Sequence, residues 1–271
     1  MPYTALLSAL SSLPLDGYTS DQREALGTLY EYIEEPSPYA LFLLTGYAGT
    51  GKTFLLRTIA DLAHRAGLRV ELMASTGRAA KVLSASTGRP ASTIHRTIYR
   101  ASTQMQEEGG SFQLGRVSGA TPTLFIVDEA SMISGDTGEM TPFGSGNLLD
   151  DLLSYVWSAD EAKLIFVGDT AQLPPVGTPL SDALNAEVLT SRYGLHVYGM
   201  ELREVVRQKR GGILHNATQL RELLDEYADE DPEEILPIHL ETEGWRGIFP
   251  VEGGTFIETL DEAYRKYGEE E

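Results

Sequence analysis

Gly46-Tyr47-Ala48-Gly49-Thr50-Gly51-Lys52-Thr53 follows the pattern G-x-x-x-x-G-K-[ST], and its reading decides the fold. Closely spaced glycines let a backbone curl until its N–H groups converge on phosphate oxygens, and a helix N-terminus just beyond adds positive partial charge. In such a loop Lys52 reaches the β- and γ-phosphates of a nucleoside triphosphate, and the Thr53 hydroxyl ligates Mg²⁺. The flanks agree with this. Residues 40–44 form a short apolar run of buried-strand type, whereas Leu55, Leu56, Ile59, Ala60 and Ala63 recur at helical spacing. Strand, glycine loop and helix in succession make Gly46, Ala48, Gly49, Thr50, Gly51, Lys52 and Thr53 the candidate nucleotide contacts, with ATP and Mg²⁺ as the expected cofactors.

Further carboxylates belong to the same chemistry. Residues 123–127 are a continuous apolar strand ending in Asp128-Glu129. Adjacent side chains at a strand end point to opposite sides, so Asp128 can enter the Mg²⁺ shell while Glu129 orients and activates the attacking water. The next apolar strand, residues 164–167, runs into Gly168-Asp169-Thr170-Ala171-Gln172, which places Gln172 as a neutral donor able to sense a terminal phosphate. A final helical region is expected to carry Arg203, Arg207 and Gln208 and to continue through residues 214–224; a fork from Arg207 would stabilise charge on the transferred phosphoryl group.

Composition narrows the partners. The 271 residues include no cysteine, which removes disulfides, thiolate metal sites and cysteine nucleophiles and fits a reducing, cytoplasmic setting. The five histidines lack zinc-site spacing, so Mg²⁺ with nucleotide is the metal expected. No apolar run approaches the ~20 residues of a membrane span, and no membrane partner is expected. The net charge of −19 argues at first against a polyanion. Residues 72–106, however, hold no acid but carry Arg78, Lys81, Arg89, Arg96 and Arg100, a local +5 that leaves −24 for the remainder. A basic segment in an acidic chain reads as a track for a phosphate backbone.

Within that segment residues 69–73 read as a second strand, followed by Ala74-Ser75-Thr76-Gly77-Arg78, with Thr76 placed to cap a helix. Hydroxyls, helix N–H groups and Arg78 at the carboxyl end of a strand suit a phosphodiester chain. A short helix from Thr93 presents His95, Arg96 and Arg100. Residues 102–119 contain few large apolar side chains and read either as a protruding hairpin or as a surface loop. Upstream, Thr19-Ser20-Asp21-Gln22 opens a helix as a capping box; the Gln22 side chain either caps the Thr19 N–H or reads the adenine edge.

The ordered set of residues 46–53, 74–81, 93–96, 126–131, 167–175 and 207–208 resembles superfamily 1B DNA helicases of the RecD/Dda/Pif1 type, over roughly residues 19–224. The resemblance implies a RecA-like P-loop NTPase fold, α/β with a mostly parallel sheet, helices on both faces and a small inserted hairpin. It implies Gln22 in adenine recognition, Lys52, Thr53, Asp128, Glu129, Gln172 and Arg207 in ATP hydrolysis, and Ser75, Thr76, Gly77, Arg78, His95 and Arg96 along single-stranded DNA, with residues 102–119 splitting duplex junctions. It also implies 5′-to-3′ movement and a role in DNA metabolism such as repair. The motor domain is expected over residues 1–231, and residues 232–271 as a linker or the start of a second domain. No match to the late motifs of a second motor domain follows Gln208, so a fragment or split half with low activity alone, needing a second motor domain or partner subunit, is expected. A PhoH-like ATPase shares the glycine loop, the acidic strand end and the glutamine turn, and a nucleotide-gated assembly module is the non-enzymatic alternative.

Overall fold

The computed structural model describes residues 2–101, 112–133, 135, 143–172, 175, 180–206, 216 and 219–220. The chain divides into two compact units, Met1–Arg207 and Gln208–Glu271, and the architecture below is that of the first. After helices α1 (Thr4–Ser11) and α2 (Ser20–Glu34), strand β1 (Ala40–Gly46) leads through the glycine loop into α3 (Lys52–Arg65). Then follow β2 (Arg69–Ala74), α4 (Gly77–Thr87), β3 (Ala91–Thr93), α5 (Ile94–Ile98), β4 (Tyr99–Ala101), β5 (Phe112–Leu114) and β6 (Thr123–Asp128). The first unit closes with α6 (Leu148–Val156), β7 (Ala162–Gly168), α7 (Ala186–Ser191) and β8 (His196–Leu202).

Six strands form one sheet in the order β3-β2-β6-β7-β1-β8, and every neighbouring pair is parallel. Parallel strands need crossovers, and the crossovers cover both faces, so the central strands are apolar without alternation. Successive side chains then divide between two cores. Phe42 and Leu44 of β1, Leu124 and Ile126 of β6, and Ile165 and Val167 of β7 pack under α1, α2 and α3. Their neighbours Leu41, Leu43, Phe125, Val127, Leu164 and Phe166 pack under α5, α6 and α7. This is the α/β arrangement that the sequence implies.

Local signals set the element ends. The Thr19 side chain accepts the Gln22 N–H and the Gln22 side chain accepts the Thr19 N–H, so the capping box that opens α2 is formed. Thr76 caps α4 through the Ala79 N–H. At the far end of α2, the buried Lys163 ammonium donates to the carbonyls of Tyr32 and Glu35, satisfying helix-terminal acceptors with a cation. The buried Tyr32 hydroxyl donates to Leu164 O at 2.9 Å and accepts from Leu164 N at 2.6 Å, joining α2 to β7.

The structure departs from expectation at several elements. The three-residue β3 and the edge strand β8 have no counterpart in the sequence pattern. β8 reads His-Val-Tyr-Gly-Met-Glu-Leu: it is half-exposed and interrupted by Gly199, so it lacks the continuous apolar run of the central strands. Arg203 follows β8 outside any helix, which corrects the helical reading there. Between Tyr99–Ala101 and Phe112–Leu114 the chain forms an antiparallel pair, the base of a hairpin, whereas residues 102–111 lie outside the described residues. Residues 207–208, most of 214–224 and all of 221–271 lie outside them as well.

Candidate functional site

The glycine loop is braced from two sides. A Cβ on Gly46 would lie 2.6 Å from the Leu202 carbonyl oxygen, so only glycine lets β1 leave the sheet here against the end of β8. Gly51, the N-cap of α3, has a φ of +92°, and a Cβ there would lie 2.4 Å from Gln22 Nε2. That amide nitrogen donates to Thr50 O at 3.0 Å, and Gln22 is 2% exposed. The Val206 N–H donates to Gly49 O at 2.9 Å from the other side. Thr50 Oγ1 donates to Tyr47 O at 2.8 Å, and Lys52 Nζ donates to Gly46 O at 2.6 Å and Tyr47 O at 3.0 Å. The lysine charge is thereby held over the loop, between the first helical turn and the strand end.

The carboxylates enter from β6. Asp128 and Glu129 line the same cleft of about 480 Å³ as Ala48, Gly49, Gly51, Lys52, Thr53, Asp169 and Gln172. Burial pushes the Asp128 carboxyl up to about 6; the Glu129 charge adds to the rise, while the Glu129 N–H at 3.0 Å and the Lys52 charge oppose it. Glu129 has a φ of +56°, and among the described residues it is the one non-glycine residue with positive φ. Left-handed backbone at a bulky side chain costs about 1–2 kcal/mol, and such outliers concentrate at functional sites. Here the left-handed residue starts the short 3₁₀ turn Ala130–Met132, which turns the chain away directly after the carboxylates. Ser131 Oγ donates to Gln172 Oε1 at 3.2 Å, linking the carboxylate loop to the turn after β7. The Gln172 N–H donates to Asp169 O, closing that turn.

A second cleft of about 280 Å³ shares Thr53, Val82, Asp128 and Glu129 with the first and adds Thr76, Arg78, Ala79 and Met132. The start of α4 is therefore continuous with the carboxylate pair. Ser75 Oγ, just before it, is buried without a hydrogen-bond partner. Ser75, Gly77, His95 and Arg96 line neither cleft. His95 is half-buried, with its ring 5.2 Å from Phe143 and 5.7 Å from Tyr99, and burial lowers its pKa from the ordinary imidazole value. Arg96 is exposed on α5. Arg207 lies outside the described residues.

For Gln22 the capping alternative is the one formed: Oε1 accepts the Thr19 N–H and Nε2 donates into the loop. Sequence reasoning passed over Asp169, Phe54, Val82 and Val206, all of which line the cleft. Asp169 stands beside Gln172 in the same turn and could have been singled out with it. Val206 arrives only through the unexpected β8 and carries no local signal.

Mg²⁺ prefers oxygen ligands and is commonly held by one or two protein groups together with substrate phosphates. Among the described residues no cluster of three His, Cys, Asp or Glu could hold a metal by itself. The Thr53 hydroxyl and Asp128, whose buried charge lacks full compensation within the protein, are a donor set that fits a divalent cation shared with phosphates. No described helix is long and apolar enough to cross a membrane.

A glycine loop between strand and helix, with a carboxylate pair and a glutamine turn on neighbouring parallel strands, defines a RecA-like P-loop NTPase fold. The AAA domain family matches residues 17–236. The chain belongs to that family, as a motor domain of the superfamily 1B RecD/Dda/Pif1 type. It is 34% identical over 214 residues to the ATP-dependent RecD2 DNA helicase of Deinococcus radiodurans, covering 76% of this chain and 27% of that protein. It is 30% identical over 213 residues to the ATP-dependent DNA helicase Dda of Enterobacteria phage T4, covering 77% of this chain and 44% of Dda. The chain thus spans about a quarter and under half of these relatives. The Pif1 helicase of Candida albicans superposes with a TM-score of 0.47 at 20% identity, over 92% of this chain and 54% of that one.

Proposed function

We propose that this chain is the first motor domain of a DNA helicase, coupling ATP hydrolysis to 5′-to-3′ movement along single-stranded DNA and to duplex separation at junctions. The observation that carries this reading is the continuity of the two clefts: Asp128, Glu129 and Thr53 belong both to the phosphate-loop cleft and to the cleft at the start of α4. In this reading the loop amides and Lys52 bind the phosphates, which requires Lys52 to leave the carbonyls of Gly46 and Tyr47. Thr53 and Asp128 hold Mg²⁺, which when bound offsets phosphate charge. Glu129 accepts the proton of the attacking water, and Gln172, held by Ser131, orients toward the terminal phosphate. Arg207 adds charge stabilisation in the same scheme.

Thr76, Arg78 and the N–H groups of α4 take phosphodiester oxygens, with Ser75, Gly77, His95 and Arg96 along the same strand. The unpartnered Ser75 Oγ supports a ligand oxygen at this point. The 5′-to-3′ direction rests on the resemblance to superfamily 1B. Translocation needs two motor domains that close around nucleotide, and the described residues supply one. A motor domain over residues 1–231 and residues 232–271 leading toward a partner domain complete the proposal.

ATP turnover of the chain with single-stranded DNA, with RNA of the same sequence and without nucleic acid tests it. DNA should stimulate turnover more than RNA does, and duplex unwinding by this chain alone should be weak. Equal stimulation by RNA, or none by either, would contradict the DNA-motor reading.

A further inference from the structure

Two segments 182 positions apart in the chain grip each other beside the glycine loop. Residues 203–206 follow β8 without helix or strand, so their backbone N–H groups need partners other than a sheet ladder. Asp21 Oδ2, in the first turn of α2, accepts the N–H of Arg203 at 2.7 Å and that of Glu204 at 2.8 Å. Glu204 closes the clasp from its own side: its Oε2 accepts the Ser20 N–H at 3.3 Å and the Ser20 hydroxyl at 3.1 Å. Two residues further on, the Val206 N–H donates to Gly49 O at 2.9 Å. The clasp thus ends on the backbone of the glycine loop.

That last bond sets which way one peptide of the loop faces. A trans peptide points its C=O and the following N–H in opposite directions. With the Gly49 carbonyl turned out to Val206, the Thr50 N–H faces back across the loop, where it lies 3.3 Å from Tyr47 O. Gly49 sits at a φ of +87° and, without a Cβ, offers little resistance to rotation of this peptide. Reversed, the peptide would present a carbonyl oxygen where a phosphate needs a donor. We propose that Asp21 is a positioning residue for phosphate binding. By gripping residues 203 and 204 it keeps the Val206 N–H on Gly49, and so keeps the peptide between Gly49 and Thr50 in its phosphate-receiving orientation. Asp21 itself lines neither cleft and acts only through this backbone. This rests on the nucleotide-binding reading above.

Calorimetric titration of the full chain with ADP and with inorganic tripolyphosphate, each with Mg²⁺, tests the inference, with thermal melts of every variant alongside. Asp21→Ala should weaken both ligands by one common factor of about ten, the scale of a charge-assisted hydrogen bond lost from the clasp. Removing a negative charge near an anion site would by itself strengthen binding, so this loss has the opposite sign from a simple charge effect. Asp21→Asn keeps an oxygen able to accept both N–H groups and should bring both affinities back to within about threefold of the unmutated chain. Unchanged or tighter tripolyphosphate binding in Asp21→Ala would overturn the inference, whatever the melting temperature does, because Asp21 would then serve the fold alone. A loss confined to ADP would overturn it too, as would an Asp21→Asn protein no tighter than Asp21→Ala. Glu204→Ala opens the clasp from the other side and should lower both affinities together; it carries the test if Asp21→Ala does not fold. If the unmutated chain bound neither ligand, the nucleotide-site reading itself would fail.

Discussion

Asp128→Asn should make the nucleotide-free protein more stable while weakening its Mg²⁺-dependent nucleotide binding. The Asp128 carboxyl is pushed up to about 6 from an ordinary 3.8, chiefly because burial disfavours its charge. At about 1.4 kcal/mol per pH unit, keeping that charge at pH 7.5 costs the fold at most about 3 kcal/mol. Asparagine removes the charge and keeps an oxygen that can accept the Glu129 N–H now bound at 3.0 Å. For a unit of this size about 3 kcal/mol corresponds to a rise in Tm of up to roughly 6–12 °C.

The sign with pH follows from the raised folded-state pKa. Below pH 3.8 the carboxyl is neutral in both the folded and the unfolded chain, and the two proteins should be equally stable. Between about 4 and 6 the folded state holds more protons than the unfolded state, so as pH rises through this window the wild-type protein loses stability relative to the Asp128→Asn protein. Above about 6.5 the difference should be constant. Thermal melts of both proteins from pH 4.5 to 8, without nucleotide and then with ADP and Mg²⁺, make the measurement. The variant should melt higher without ligand, by an amount that shrinks toward pH 4.5, and should gain less from ADP and Mg²⁺ than wild type. A variant that melts at or below wild type at pH 7.5, or a difference independent of pH, would refute the assignment of a costly buried charge to Asp128.

Glu129→Gln should lower ATP turnover at least about 100-fold, the usual scale for loss of a general base, with nucleotide affinity kept; undiminished turnover would remove Glu129 from the proton-accepting role. Gly51→Ala should weaken nucleotide binding in calorimetry, because a φ of +92° strains any residue with a Cβ and that Cβ would displace Gln22 Nε2 from its place against the loop. Tyr32→Phe should destabilise the fold by about 1–3 kcal/mol in denaturant titration, because the Leu164 N–H and C=O both lose the buried hydroxyl. Its nucleotide affinity should stay unchanged, since Tyr32 lies at the opposite end of the strands from the glycine loop, beside Leu164 at the start of β7.

What could be read from the sequence was what is encoded locally. The apolar run of β1, the glycine loop and the amphipathic pattern of α3 are contiguous, and each is specified by its own residues, so the phosphate loop was legible. The same holds for the Thr19 and Thr76 caps and for Asp128-Glu129, where an uninterrupted apolar strand ends in charge. The edge strands were less legible, since β8 and β3 are only partly buried and need less hydrophobicity. Their absence from the reading hid Val206, whose bond to Gly49 depends on β8 pairing with β1 across more than 150 residues of chain. Gln22 offered two roles that sequence could not separate, because the choice depends on where Thr50 O lies. His95 could be either a packed or a surface residue by sequence, and the structure packs its ring against Tyr99 and Phe143; Phe143 is 48 positions away and gives no local sign of the contact.

The claim that most needs testing is that DNA at the start of α4 and nucleotide at the glycine loop act on each other through Asp128, Glu129 and Thr53. Binding linkage is reciprocal, so it can be read from either ligand. The direct measurement is the affinity of a fluorescently labelled single-stranded oligodeoxynucleotide for the unmutated protein, by anisotropy, without nucleotide and with a saturating non-hydrolysable ATP analogue and Mg²⁺. The account predicts a shift of at least about fivefold between the two conditions; identical affinities, with binding of the analogue verified in the same sample, would contradict it.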